Sequence, residues 1–266
     1  MKCDPQTKGH TIMKKGILYG VGVGPGDPEL MTLLAVKTIK NCSVTAVPTA
    51  KRDDAASYRI AVAAVPEIAE RECLTLDTPM TKDPERLEAA YLAAAEAVIE
   101  HLEHGANVAY LVLGDPCIYS TYIYIHRLVC AVGFSAKIIN GVTSFCAASA
   151  RLGDSLADRS EQLHIIPSSY DTKEALQLPG TKVLMKASSR MKELKKELES
   201  CGASSAVMIE NCGMENERIF EAIDAFPESS GYFSTVIVSS HDRPISAAAE
   251  KFSSDQSDKM IALPDK

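Results

Sequence analysis

The chain has 266 residues, 46% hydrophobic and 24% charged, proportions of a globular protein that exclude a disordered or fibrous one. Its 28 Lys and Arg against 35 Asp and Glu leave a formal charge of -7, which argues against nucleic acid or an anionic membrane as the main partner while allowing one basic cleft for a small anion. The eight cysteines form no Cys-x-x-Cys pair, so reduced, buried thiols in a cytoplasmic protein are expected rather than a disulfide framework.

Residues 1–13 are basic without an apolar region, and no apolar run of bilayer length follows, so neither export nor a membrane span is expected. These residues and 255–266 are read as flexible tails. From Ile17 a short β-branched run hands over at a Gly/Pro/Asp turn to a stretch of helical period, and this happens five times. The strands are predicted at Ile17 to Val23, Ser43 to Val47, Glu72 to Leu76, Asn107 to Leu113 and Ala136 to Ile139. The helices are predicted at Glu29 to Asn41, Asp54 to Ile68, Pro84 to His104, Pro116 to Val132 and Thr143 to Leu152. Such alternation predicts a parallel sheet covered on both faces.

The second half has fewer helices per strand. Strands are predicted at Leu163 to Ile166, Lys182 to Lys186, Ala206 to Glu210 and Tyr232 to Val238, with an amphipathic helix at Ser189 to Ser200 stopped by Gly202 and a helix or turn at Glu217 to Ala225. This is the pattern of a smaller α/β domain with a mixed sheet. The boundary is placed at Gly141, giving an N-terminal domain over 14–141 and a C-terminal one over 142–254.

In an open parallel sheet ligands bind beyond the carboxyl ends of the strands, which directs attention to the loops after the first, fourth and fifth strands. The first, GVGVGPGDPEL, fails the dinucleotide spacing, because the third glycine position holds Asp27 in one register and Pro25 in the other. No Gly-Lys-Ser/Thr follows, which excludes a P-loop. The loop reads equally as a tight connection in which Asp27 caps a helix starting at Pro28. Leu113-Gly114-Asp115-Pro116 repeats the device, and a helix carrying Tyr119, Tyr122 and Tyr124 follows it; such a stripe serves packing more often than catalysis. His101 and His104 stand three apart without a third ligand, so no metal site is expected. His126, His164 and His241 are isolated, and Gly-x-Ser-x-Gly is absent. Lys192, Glu193, Lys195, Lys196 and Glu197 read as a wet helix face.

Taken in order, YGVGVGPGDPELMTLLAVKTIKNCSVTAVP, YLVLGDPCIYSTY, NGVTSF, VLMKAS and IENCG resemble the tetrapyrrole methylase superfamily, over about residues 16–240. Within it the chain is most similar to the precorrin-2 and cobalt-factor II C20-methyltransferases of cobalamin biosynthesis. The resemblance implies two α/β domains with the ligand cleft between them, a homodimer, and S-adenosylmethionine as methyl donor. It carries cofactor contacts onto Pro25, Leu113, Gly114, Asp115, Ile118, Thr143, Ser144, Met185, Asn211 and Cys212. Many relatives hold glycine where Cys212 stands. Some place an acid after the second strand as a base, where this chain reads Ala46-Val47-Pro48-Thr49 and has none.

The chemistry then asks mainly for alignment of donor and acceptor carbon at about 3 to 3.5 Å and exclusion of water. Loss of the meso proton needs a modest acceptor, for which Tyr119, Tyr122 or a bound water is expected, Tyr119 ahead of Tyr122. The polycarboxylate acceptor calls for a cluster of bases, with Lys51, Arg52, Arg59 and Arg127 as candidates. Methylation of another tetrapyrrole carbon, or a non-catalytic nucleotide-binding module, are the competing readings.

Overall fold

A computed structural model describes residues 14–203 and 205–239. The tails, His241 and the end of the expected second domain lie outside the described residues. Those described fall into two compact units, one running to Asp154 and taking in Asn211–Arg218, the other holding Ser155–Glu210 and the chain from Ile219 onward. Gly141 therefore lies inside the first unit. The helix after it stays with the first sheet, and the chain returns to that unit at Asn211.

The first unit contains β1 (Ile17–Gly22), α1 (Leu33–Lys40), β2 (Val44–Val47), α2 (Ala56–Ala64), β3 (Glu72–Thr75), α3 (Pro84–Glu103), β4 (Val108–Val112), α4 (Tyr122–Ala131), β5 (Ser135–Ile139) and α5 (Ser144–Arg151). Its sheet has the order β3-β2-β4-β1-β5, and every pair is parallel. The residues of β1 and β4 alternate between two cores, as the period of two along a strand requires. Val21, Ala109 and Leu111 face α1 and α2, while Leu18, Val108, Tyr110 and Val112 face α3 and α4. Burial on both faces is why these strands read as continuous apolar runs.

Three helices start later, or break earlier, than periodicity predicts. The stretch from Glu29 divides into a 3-10 turn at Pro28–Leu30, capped by Asp27, and α1, which has its own cap where Thr32 Oγ1 accepts the Ala35 N–H at 3.1 Å. The stretch from Asp54 likewise becomes α2 and a 3-10 turn at Pro66–Glu70. Pro116 to Thr121 is not helical: Asp115 Oδ1 takes the Cys117 N–H at 2.7 Å and Ser120 Oγ takes the Tyr122 N–H at 3.2 Å, so local side-chain acceptors hold the backbone out of a helix until Tyr122.

The second unit contains β6 (Leu163–Pro167), α6 (Lys173–Leu176), β7 (Thr181–Met185), α7 (Met191–Ser200), β8 (Ser205–Glu210) and β10 (Ser234–Ser239), with β9 (Arg218–Phe220) at the sheet edge. Its order is β6-β7-β10-β8-β9, and β10 runs antiparallel to both neighbours, so this sheet is mixed, as expected. Met191, Leu194 and Leu198 of α7 pack on Leu184, Met208 and Val236. The segment expected as a helix or turn, Glu217 to Ala225, holds edge strand β9, where pairing in the sheet decides the backbone, and then a 3-10 turn at Ile223–Ala225. Glu197 is corrected as well. It is buried rather than on a wet face, accepting from Thr172 Oγ1 at 2.5 Å and from Arg190 at 2.8 Å.

No helix among the described residues is long and apolar enough to cross a membrane. The seven described cysteines are all free, but only Cys42 is fully buried; Cys117, Cys130 and Cys146 are exposed, on a loop and on outward helix positions.

Candidate functional site

From β1 the chain builds β2 and β3 to one side, returns to insert β4 between β2 and β1, and places β5 beyond β1. The three loops singled out above therefore leave adjacent parallel strands at the same end. Their backbones touch. Gly24 and Gly114 exchange hydrogen bonds, the Gly114 N–H donating to Gly24 O at 2.8 Å and the Gly24 N–H to Gly114 O at 3.3 Å. Both have φ near +75° (78° and 72°), a conformation glycine reaches without steric cost. Gly22 and Gly141 complete this close approach of the three loops, since a Cβ on Gly141 would fall 2.1 Å from Gly114 O.

Asp115 holds the third loop. The residue is 8% exposed, and Oδ2 accepts the Gly141 N–H at 2.9 Å and Asn140 Nδ2 at 3.2 Å. With Oδ1 on the Cys117 N–H, the carboxylate is fully engaged inside the protein. Asp115 thus orients the loops, and any ligand contact from this position comes from its backbone.

The segment Asn211–Arg218 lies against the first loop. A Cβ on Gly26 would meet Cys212 O at 2.3 Å, and one on Gly213 would meet Asp27 N at 2.9 Å. Glu217 fixes the segment, accepting the Gly213 N–H at 2.8 Å through Oε2 and pairing with Arg151 Nε at 2.6 Å through Oε1. Burial pushes the Glu217 carboxyl up, but the Gly213 N–H and Arg151 outweigh it and hold the group below its ordinary value. Burial, reinforced by Glu217, pushes the Cys212 thiol up to about 11, so it stays protonated and is no nucleophile. Sequence reading missed Arg151, Glu217 and Asn140, because partners so far apart in the chain leave no local signal.

Two features suit the binding of a small polar ligand. Thr143, at the N-terminus of α5, makes no capping bond, and its buried Oγ1 has no hydrogen-bond partner among the described residues. Gly114 has open space on its Cβ side, with Ser144 N and Val142 O no nearer than 3.9 Å. Pro25, Leu113, Ile118 and Ser144 border the same loops. Asn211 and Cys212 join them through the returning segment, while Met185 ends β7 in the second unit.

The two tyrosines part company. Tyr122 is fully buried, its hydroxyl donating to the Lys137 carbonyl at 2.9 Å with His126 Nδ1 at 2.9 Å, and burial raises the hydroxyl well above the ordinary phenol value. It is a core residue whose hydroxyl is engaged by its own neighbours. Tyr119 lies outside the helix, 42% exposed, with φ of 49°, an unusual conformation for a bulky side chain and one that clusters at functional sites. Burial raises its hydroxyl above the ordinary phenol value, which keeps it neutral.

The basic candidates fall on two stretches of chain, Lys51, Arg52 and Arg59 after β2 and Arg127 on α4. Arg52 donates to Asp53 and to Ala69 O and covers the Tyr58 ring at 5.0 Å; Arg59 donates to Asp53 O at 2.8 Å. Lys51 is exposed beside them, and Arg127 is exposed on α4. Among the described residues no three His, Cys, Asp or Glu side chains converge on a metal site. His101 binds Glu72 at 3.1 Å and the Ala97 carbonyl at 3.0 Å, and His104 the Glu100 carbonyl.

A parallel sheet with glycine-lined loops gathered at the ends of β4, β1 and β5, and a polar atom left waiting there, defines an α/β protein that binds a small ligand at its strand ends. Residues 17–223 match the family described as Tetrapyrrole (Corrin/Porphyrin) Methylases, and the chain belongs to it. It is 32% identical over 244 residues to the precorrin-2 C(20)-methyltransferase of a Sinorhizobium species, covering 86% of this chain and 98% of that one. It is 32% identical over 186 residues to the probable cobalt-precorrin-2 C(20)-methyltransferase of Methanocaldococcus jannaschii, covering 70% and 77%. Against the cobalamin biosynthesis protein CobIJ of Mycobacterium tuberculosis the identity is 31% over 84% of this chain, which spans about half (46%) of that relative. Among solved structures, cobalt precorrin-4 methyltransferase CbiF shares the fold at a TM-score of 0.65 and 19% identity, covering 84% and 94%. So does the uroporphyrin-III C-methyl transferase from Thermus thermophilus complexed with S-adenyl homocysteine, at 0.62 and 21%, covering 85% and 98%.

Proposed function

We propose that the chain is an S-adenosylmethionine-dependent C-methyltransferase acting at C20 of precorrin-2 or cobalt-factor II in cobalamin biosynthesis. The observation that carries the reading is the 32% identity along 98% of a precorrin-2 C(20)-methyltransferase. The unpartnered Thr143 hydroxyl and the open side of Gly114 suit a nucleoside bearing hydroxyl and amine groups. The donor, when bound, supplies an electrophilic methyl group. Pro25, Leu113, Gly114, Ile118, Thr143, Ser144, Asn211 and Cys212 would hold it, with the Asp115 backbone. The chain's own work is to position the partners and keep water off the donor.

Tyr119 remains the group for the meso proton. A neutral phenol is a weak base, so its role is to orient a water that takes the proton. In Tyr119→Phe the turnover number should fall by about tenfold or more with cofactor affinity unchanged; an unchanged rate would remove Tyr119 from the reaction. We also read the chain as a cytoplasmic homodimer, for which sedimentation equilibrium should return twice the chain mass.

The deciding experiment offers metal-free and cobalt-containing acceptors with labelled methyl donor, and locates the label by NMR. One methyl at C20 supports the reading. A label on another carbon makes the chain a different tetrapyrrole methylase, and binding of S-adenosylhomocysteine without any transfer makes it a non-catalytic module.

A further inference from the structure

We infer that Glu217 is a positioning residue for the adenosyl ligand and that Arg151 holds it in place, the two together keeping the backbone of Asn211–Arg218 against the glycine loop after β1. The inference rests on the proposed function and deepens it, giving two residues outside the expected cofactor contacts a part in donor affinity.

The segment belongs to the first unit although β8, which precedes it in the chain, belongs to the second. Its backbone meets the loop after β1 with no room for a side chain between them: a Cβ on Gly26 would fall 2.3 Å from Cys212 O, and one on Gly213 would fall 2.9 Å from Asp27 N. That approach uses two left-handed residues within three, Asn211 with φ of 55° and Gly213 with φ of 75°. For asparagine the conformation is sparsely populated and persists where the surroundings hold it. Glu217 holds it with both carboxylate oxygens. Oε2 accepts the Gly213 N–H at 2.8 Å and closes the turn, beside the bond from the Met214 N–H to Asn211 O at 2.9 Å. Oε1 accepts Arg151 Nε at 2.6 Å, across 66 positions of chain.

Arg151 ties that turn to the ligand end. It stands in the last turn of α5, whose first residue, Ser144, lies beside Gly114 and whose preceding residue, Thr143, carries the unpartnered hydroxyl. Eight residues of helix span about 12 Å, so α5 is a short rigid strut with the glycine-lined loops at its N-terminus and the segment at its C-terminus. A cation also suits the negative end of the helix. The Arg151 side chain is 63% exposed and that of Glu217 only 14%, so the carboxylate is the sheltered partner and the guanidinium closes over it from outside. Because the turn carries Asn211 and Cys212, loosening it loosens the donor site before it touches the acceptor.

Arg151→Ala, Arg151→Lys, Glu217→Gln and Glu217→Ala are compared with wild type by calorimetric titration with S-adenosylhomocysteine, by initial rates over a range of donor and of acceptor, and by thermal melting. Glu217→Ala loses both bonds, and its S-adenosylhomocysteine Kd and donor KM should rise about tenfold. Glu217→Gln keeps an acceptor for the Gly213 N–H and Arg151→Ala removes only the ion pair, so in both the rise should be about threefold, with Arg151→Lys close to wild type. The acceptor KM and kcat should stay within about twofold throughout, a split that a general loss of folding does not produce. If Glu217→Ala melts below the assay temperature, Glu217→Gln and Arg151→Ala carry the test on the same readouts.

Wild-type donor affinity in the folded Glu217 variants overturns the inference, as does a raised acceptor KM with donor affinity unchanged, and the proposed function stands in either case. A wild-type chain that neither binds S-adenosylhomocysteine nor methylates any tetrapyrrole overturns the function, and the inference with it.

Discussion

The Asp115 carboxylate accepts the Gly141 N–H at 2.9 Å across 26 positions of chain, joining the loop after β4 to the loop after β5 beneath the ligand end of β1. Removing that acceptor in Asp115→Ala leaves the Gly141 and Cys117 N–H groups without their partner. The loss should be about 3 kcal/mol of unfolding free energy, read by urea titration. Asp115→Asn keeps one acceptor oxygen and should lose roughly half as much. S-adenosylhomocysteine affinity should fall in the same order, and an alanine variant as stable as wild type would show that this carboxylate does not organise the loops.

Gly141→Ala tests the contact between the loop backbones directly. The added Cβ would lie 2.1 Å from Gly114 O, so the loops must separate, at about 3 kcal/mol and with loss of adenosyl-ligand binding. Gly133→Ala is the control. It has φ of 85° but nothing within 4 Å of its Cβ, and it should cost only about 1 kcal/mol and leave binding intact.

Tyr122→Phe removes a hydroxyl that donates to Lys137 O and meets His126 Nδ1. The ring must stay, because it packs on Gly20, where a Cβ would fall 2.1 Å from it. A drop of about 1 to 2 kcal/mol in stability, with methyl transfer retained in full, is expected. A selective loss of turnover would return Tyr122 to the chemistry.

His101 predicts a pH dependence of stability. Burial disfavours its charged form, but the Ala97 carbonyl and the Glu72 carboxylate outweigh burial and raise the imidazole above 6.5. Both of those oxygens accept, so both ring nitrogens must donate, which requires the cation. A raised folded value means that the stabilisation is complete below 6.5 and fades as pH rises through the folded value. The stability difference between wild type and His101→Gln should therefore shrink with rising pH over that window, and parallel curves would refute the coupling.

How far the chain could be read depended on how local each signal was. The β-branched runs of β1 and β4, the Asp27 cap, and the glycines at 24 and 114 each act over a few residues, so strand positions and the three loops could be placed in advance. Tyr119 and the helix from Pro116 could not, because Asp115 and Ser120 take N–H groups that a helix would need, and nothing in the periodicity reports that competition. Glu197 was misplaced for a related reason: its charge marks a surface face until Arg190 and Thr172 are brought to it.

By itself the chain settled the class of fold, the family and the loops that face the ligand end, since those follow from residue order, turn chemistry and period. Tertiary structure alone decided which residues meet there. Insertion of β4 between β2 and β1 sets Asp115 on Gly141, and the return of Asn211–Arg218 sets Glu217 on Arg151, 66 positions away. The reason is physical: backbone preference acts over a turn or two, whereas contacts between distant segments exist only after strand order has closed the loops between them.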